Sequence, residues 1–225
     1  MKFLLGSSSP RRKQLVQKIF EDLKIPVSLA FLSPDINEDP FANEDPLSYV
    51  QRIAFDKMQT LAQLPGFFAP ALCADTTVCI GQSILGKPVD AQDATKMLEQ
   101  LSGATHTVAT SCVLSLENKA NFDQNDFQKH FPAVKITKNP SATHKITIFQ
   151  FTSLTKVSFK ELSAEEIQNY VATGQPMDKA GAYGLQGDAQ NFVTQIEGSS
   201  HNVIGLPTED LGGVLQWFVA NHIIN

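Results

Sequence analysis

The run ALCADTTVCI, Ala71–Ile80, constrains the fold more than any other part of the chain. Its β-branched and apolar composition reads as a buried strand. One carboxylate, Asp75, sits in its middle. A carboxylate inside a buried strand needs a partner or a metal, because burying an uncompensated charge is very costly. The structural alternative is an aspartate at a strand end that caps a turn. Apolar flanks on both sides favour a functional carboxylate.

Strand and helix signals alternate on either side of this run. After KFLLG, Ser9 caps a helix that takes Pro10 at its first position and places Leu15, Val16, Ile19 and Phe20 on one side. VSLAFL (Val27–Leu32) reads as a strand, followed by the acidic loop SPDINEDPFANEDP. Asp45 caps a long helix from Pro46 toward Leu64, which GFFAP ends. The Gly81–Gln82 region predicts a hairpin turn into SILGKP. Asp90 caps a helix with Leu98 and Leu101 inward and Gly103 past its end, and THTVATSCVLSLE is a strand. Ser163 and Glu166 form a capping box on a helix that stops at Gly174. NFVTQIEG is a strand, and LPTEDLGGVLQWFVANHI is the closing helix, which tolerates Gly212 and Gly213. The alternation predicts an α/β fold, a mixed sheet with helices around it. Residues 118–144 stand apart: polar and with little periodicity, they read as an extended loop or protruding hairpin inserted between two strands. No internal repeat is visible, so residues 1–225 are expected to form one domain carrying that surface insertion.

Several segments carry candidate chemistry. In GSSSPRRKQL, Arg11 and Arg12 occupy the first helical turn, where cations oppose the positive end of the helix dipole unless an anion binds. Backbone N–H groups, the hydroxyls of Ser7 and Ser9 and two guanidiniums could form a phosphate cradle. The alternative is two solvated arginines on an ordinary capped helix. Lys87 lies in the fixed turn GKP; Glu38 lies among Asp35, Asp39, Glu44 and Asp45, most of which read as solvated surface. In GQPMDKAGAYGLQG (Gly174–Gly187), glycines interleave with Asp178, Lys179, Tyr183 and Gln186, so a ligand could approach the backbone and be read by polar side chains. GSSHNVIGLP is a second small-residue loop. His106 and His201 read as satisfied or solvated side chains, no histidines have metal spacing, and neither a Walker loop nor a dinucleotide glycine fingerprint is present.

Composition excludes some classes. A net charge of −5 argues against a general nucleic-acid binder but leaves room for a local basic pocket that holds a small anion. The longest apolar stretches are too short for a membrane span, and the first residues lack a signal peptide's apolar region. Cys73, Cys79 and Cys112 are odd in number and lie in strand-like runs, which reads as reduced thiols in a cytoplasmic protein.

Taken together and in order, SSSPRR, ADTTV, GKP, LSGATHTV, MDKAGAYGLQG and GLP resemble the Maf family of nucleotide pyrophosphatases. The resemblance covers nearly the whole chain except the segment at 118–144. It implies a twisted mixed sheet with flanking helices, in two lobes around a central nucleotide-binding cleft. It implies hydrolysis of a nucleoside triphosphate between the α and β phosphates, with a divalent cation such as Mg²⁺ or Mn²⁺. Asp75 takes the general-base role in it; Glu38, with Asp75, holds the metal; Ser7, Ser9, Arg12, Lys57 and Lys87 orient the phosphates. Arg11, Thr76 and Gln186 match the dTTP/UTP group, whereas the 7-methyl-GTP group tends to carry an aromatic, a glutamine and a glutamate at those three places. Met58 departs from the family's usual alanine. The competing readings are a 7-methyl-GTP enzyme and a non-catalytic nucleotide-binding regulator of cell division. A homodimer is left open.

Overall fold

The computed structural model describes residues 1–117, 122–139 and 145–224. Its strands are β1 (Lys2–Leu5), β2 (Ser28–Phe31), β3 (Ala71–Ile80), β4 (Ser83–Leu85), β5 (Thr105–Glu117), β6 (Lys135–Asn139), β7 (Ile146–Phe159) and β8 (Val193–Glu197). Its helices are α1 (Pro10–Asp22), α2 (Pro46–Leu61), α3 (Ala91–Leu101), α4 (Gln124–His130), α5 (Ala164–Ala172), α6 (Ser200–Ile204) and α7 (Thr208–Ala220). The main sheet path is β2-β1-β3-β5-β7-β6, with β4 pairing β3 and β8 pairing β7. Around β1 the pairing is parallel; everywhere else it is antiparallel. This is the α/β class with a mixed sheet that the sequence predicts.

Strand β1 lies between β2 and β3, so the chain leaves it through α1 toward one neighbour and returns through α2 to the other. The two helices cover opposite faces. Phe3, Leu5, Leu72 and Ala74 pack with α1 and α7, whereas Leu4, Ala71 and Cys73 pack with α2. Cover on both faces explains the unbroken apolar run at the start of β3: alternate side chains meet different helices, and neither set meets water. A third core, built from α3, α5 and the far ends of β5 and β7, sits toward the other end of the long strands.

The capping signals hold. Ser9, Asp45, Asp90 and Ser163 each accept a backbone N–H at their helix start, and Glu166 completes the capping box. Gly103 and Gly174, past the ends of α3 and α5, have φ of 66° and 72°, a conformation that costs glycine no Cβ clash. Outside the segment at 118–144, the sequence does not announce the short α6 inside GSSHNVIGLP or the three 3₁₀ turns that carry much of the loop after Gly174.

The segment at 118–144 departs most from expectation. Residues 118–121 and 140–144 lie outside the described residues; the part between them is not an aperiodic surface loop. It forms α4, capped by Asp123, and β6, which pairs antiparallel with β7. Phe127 is fully buried, its ring 5.0 Å from Trp217, 5.3 Å from Phe149 and stacked on Phe218 at 5.5 Å. Two turns of helix are too short to show a period, and the polar residues on the outer face of α4 mask the inward Phe127.

Candidate active site

In open α/β sheets ligands bind beyond the carboxyl ends of the strands, where the chain departs to opposite faces. Here that point is the end of β1, and GSSSPRR occupies it. The first loop packs tightly: a Cβ on Gly6 would run into the Cys73 sulfur and lie 2.7 Å from the Leu61 side chain, so glycine is the residue that fits. Beyond it opens a cleft of about 370 Å³. The cleft brings together every residue that the sequence assigns to the site: Ser7, Ser9, Arg11, Arg12, Glu38, Lys57, Asp75, Thr76, Lys87 and Gln186.

The pleat of β3 distributes its chemistry. Asp75 continues the set facing α2, and its Oδ1 accepts a 2.7 Å bond from Lys57 Nζ. Thr76 continues the set facing α1, and its Oγ1 accepts a 3.0 Å bond from Arg12. One strand thus feeds a carboxylate to one helix and a hydroxyl to the other. Lys57 lies on the buried stripe of α2, one turn from Ile53 and Leu61, where the helical period calls for an apolar side chain. Its ammonium also reaches Glu38 Oε1 at 2.8 Å, so a single cation bridges two carboxylates.

Glu38 comes from the loop between β2 and α2. Tyr49, on the first turns of α2, donates its hydroxyl to the Glu38 carbonyl at 2.8 Å and so fixes the loop. Partial burial alone would raise the Glu38 carboxyl. Lys57 outweighs it with help from Lys87 and Arg12, and holds it below the ordinary carboxylate range. Burial, reinforced by the charges of Asp75 and Glu38, pushes the Tyr49 phenol up. Not all of the acidic loop is simply solvated: Glu44 accepts two 2.6 Å bonds from Arg52. Sequence reasoning did not single out Tyr49; its signal is a phenol two turns before Lys57 on the same buried stripe.

The first loop and the start of α1 line the same cleft. Ser7 Oγ accepts the Ser9 N–H at 3.1 Å and Ser9 Oγ accepts the Arg12 N–H at 3.4 Å, so each hydroxyl keeps its proton to donate to an anion. Arg12 spends Nε on the Gly205 carbonyl at 2.9 Å and one Nη2 hydrogen on Thr76; the rest of its fork remains for a ligand. Arg11 points the other way, to Asp178 Oδ2 at 3.1 Å. Lys179 hydrogen-bonds the Gln175 carbonyl at 2.5 Å and ion-pairs with Asp178. A Cβ on Gly184 would lie 2.9 Å from the Lys179 side chain. Asp178 and Lys179 therefore brace the Gly174–Gly187 loop and tie it to α1. Tyr183 is buried, and its hydroxyl is held by His106 Nε2 at 2.7 Å; burial pulls that histidine down to about 4. Gln186 and Lys87 are exposed on the cleft wall.

Among the described residues, no three His, Cys, Asp or Glu side chains cluster closely enough to hold a metal. Two carboxylates within reach of one ammonium remain a hard oxygen pair. That donor set suits Mg²⁺, which is commonly bound by one or two carboxylates together with substrate phosphates. No helix among the described residues is long and apolar enough to cross a membrane.

Fold and site together define an α/β protein in which the donors of Ser7, Ser9 and Arg12 share one cleft with a carboxylate–lysine–carboxylate cluster. The chain belongs to the Maf-like family, whose model, described as Maf-like protein, matches residues 2–218. A relative from Shewanella denitrificans, named dTTP/UTP pyrophosphatase, is 39% identical over 218 residues, covering 96% of this chain and 95% of that protein. Relatives of the same name from Citrifermentans bemidjiense and Myxococcus xanthus are 39% and 37% identical, covering 91% and 95% of this chain and 89% and 90% of theirs.

Proposed function

We propose that this cleft hydrolyses dTTP and UTP between the α and β phosphates, releasing the monophosphate and pyrophosphate. One observation carries the reading: Lys57 joins Glu38 and Asp75 in the same cleft that Ser7, Ser9 and Arg12 line. A triphosphate seated on the cradle presents its anhydride to a carboxylate that can take a proton from water. The names of the relatives support the substrate class.

In this reading Ser7, Ser9, Arg12 and Lys87 bind and orient the phosphates, and positioning with charge neutralisation supplies most of the rate. Asp75 accepts the proton of the attacking water at a carboxylate oxygen. Lys57 holds Asp75 and Glu38 in place until substrate arrives. Glu38 and Asp75 would hold a divalent cation, Mg²⁺ or Mn²⁺, which would neutralise charge on the phosphate oxygens when bound. The protein works in the cytoplasm on free nucleotides, without nucleic acid or membrane.

The three specificity positions divide in their surroundings. Arg11 is engaged by Asp178 and Thr76 by Arg12, which leaves Gln186 on the cleft wall as the amide able both to donate and to accept toward a uracil or thymine edge. dTTP and UTP are expected to be hydrolysed well ahead of 7-methyl-GTP. Gln186→Glu is expected to narrow or reverse the gap, because a carboxylate has no donor for the base edge and the hydrogen bond lost is worth about 0.5–1.5 kcal/mol. Values of kcat/KM for dTTP, UTP, CTP and 7-methyl-GTP on both proteins check this. A wild-type preference for 7-methyl-GTP would favour the other substrate group while leaving the pyrophosphatase reading in place.

A further inference from the structure

A chain of hydrogen bonds runs from the cleft into the core. Arg12 Nη2 donates to Thr76 Oγ1 at 3.0 Å, Thr76 Oγ1 lies 2.9 Å from Thr110 Oγ1, and Thr110 Oγ1 donates to the Asn202 carbonyl at 3.0 Å. Chemistry fixes its direction. A guanidinium has no acceptor and a carbonyl has no donor, so Thr76 accepts from Arg12 and the Thr110 proton points to Asn202; the Thr76 proton then points to Thr110 at 2.9 Å, nearer than the Gly205 carbonyl at 3.5 Å. Thr110 and Asn202 are fully buried. Asn202 uses its amide hydrogens on the Val108 carbonyl at 3.1 Å and Thr155 Oγ1 at 3.0 Å, which fastens α6 to β5 and β7. The same short segment supplies the second anchor, the Gly205 carbonyl that takes Arg12 Nε. Gly205 has φ of 128°, a conformation that strains any other residue.

We infer that Thr110 and Asn202 are positioning residues for a phosphate-binding Arg12, acting through Thr76. The inference rests on the cradle reading of Arg12 and adds residues that never reach the cleft. It also changes the meaning of Thr76: this side chain sets the angle of an arginine, and through it the seat of the phosphates.

The test uses inorganic pyrophosphate, which has no base and therefore no base specificity. Its affinity is measured by calorimetry on the whole protein, alongside KM and kcat for dTTP and a thermal melt. Thr110→Val keeps the shape and removes the relay; Thr110→Ser keeps the hydroxyl. Thr110→Val is expected to weaken pyrophosphate binding and raise the KM for dTTP by about tenfold, the scale of one hydrogen bond to a charged group, with kcat changed far less. Thr110→Ser should restore both. If Thr110→Val does not fold, Thr76→Val breaks the relay at its cleft end and should give the same loss for pyrophosphate. Wild-type affinity in the folded Thr110→Val protein, a Thr110→Ser protein as impaired as the valine variant, or a wild type that binds no pyrophosphate would each overturn the inference. If pyrophosphate binding shifts as expected but no triphosphate is turned over, the positioning role stands and the proposed activity fails.

Discussion

Asp75→Asn is expected to fold normally and bind nucleotide, yet lose about 10²–10⁴-fold in kcat for dTTP, the range that general-base catalysis contributes. The substitution is conservative in the structure. Asp75 meets Lys57 through one oxygen, and an asparagine carbonyl oxygen can accept the same bond. Lys57 also keeps Glu38 as a charged partner, so no cation is stranded in the cleft. What disappears is the proton acceptor. Single-turnover kinetics with a matched nucleotide-binding measurement separate the two effects. Near wild-type turnover by a folded variant would remove Asp75 from the base role and leave Glu38 as the remaining carboxylate of the cluster.

Phe127→Ala is expected to cost about 3–5 kcal/mol of stability, the usual range for truncating a fully buried aromatic. Its ring meets Trp217, Phe149 and Phe218, so the cavity would open between β7, α4 and α7. For a chain of this size the melting temperature should fall on the order of 10 °C. None of these residues lines the cleft, so kcat of the folded fraction should stay near wild type. A loss below about 1 kcal/mol would mean that α4 is the surface excursion its composition suggested. For the same reason, replacing the whole segment at 118–144 with a short turn would uncover Phe149 and Phe218, and the chain would lose stability before any effect on chemistry could be read.

Much of this architecture is written in local sequence. Capping side chains announce helix starts because they satisfy the same free N–H groups wherever they occur, and Ser9, Asp45, Asp90 and Ser163 behave accordingly. The apolar run of β3 betrays its burial because both faces must be covered. The site was legible as a set of motifs whose convergence the topology explains: α1 and α2 cover opposite faces of the sheet, and the pleat of β3 aims Asp75 at α2 and Thr76 at α1. What local sequence hides is partnership over long separations. Nothing near Thr110 shows that its hydroxyl lies between Thr76 and Asn202, and nothing near Asp178 shows that it meets Arg11. Tyr183 looked like a ligand reader because it sits among glycines, but His106 takes its hydroxyl from 77 residues away. Short elements are hidden for another reason. Helices of five and seven residues, α6 and α4, present too few turns for a period to rise above composition.

The most direct test is the product ratio from dTTP. The purified protein is incubated with dTTP and Mg²⁺, and dTMP, dTDP, pyrophosphate and orthophosphate are quantified as turnover proceeds. Cleavage between the α and β phosphates yields dTMP and pyrophosphate in equal amounts, with no dTDP and no orthophosphate. Release of dTDP with orthophosphate would put the broken bond between β and γ, and an absence of any product would leave the cleft a binding site without the activity; either result contradicts the account.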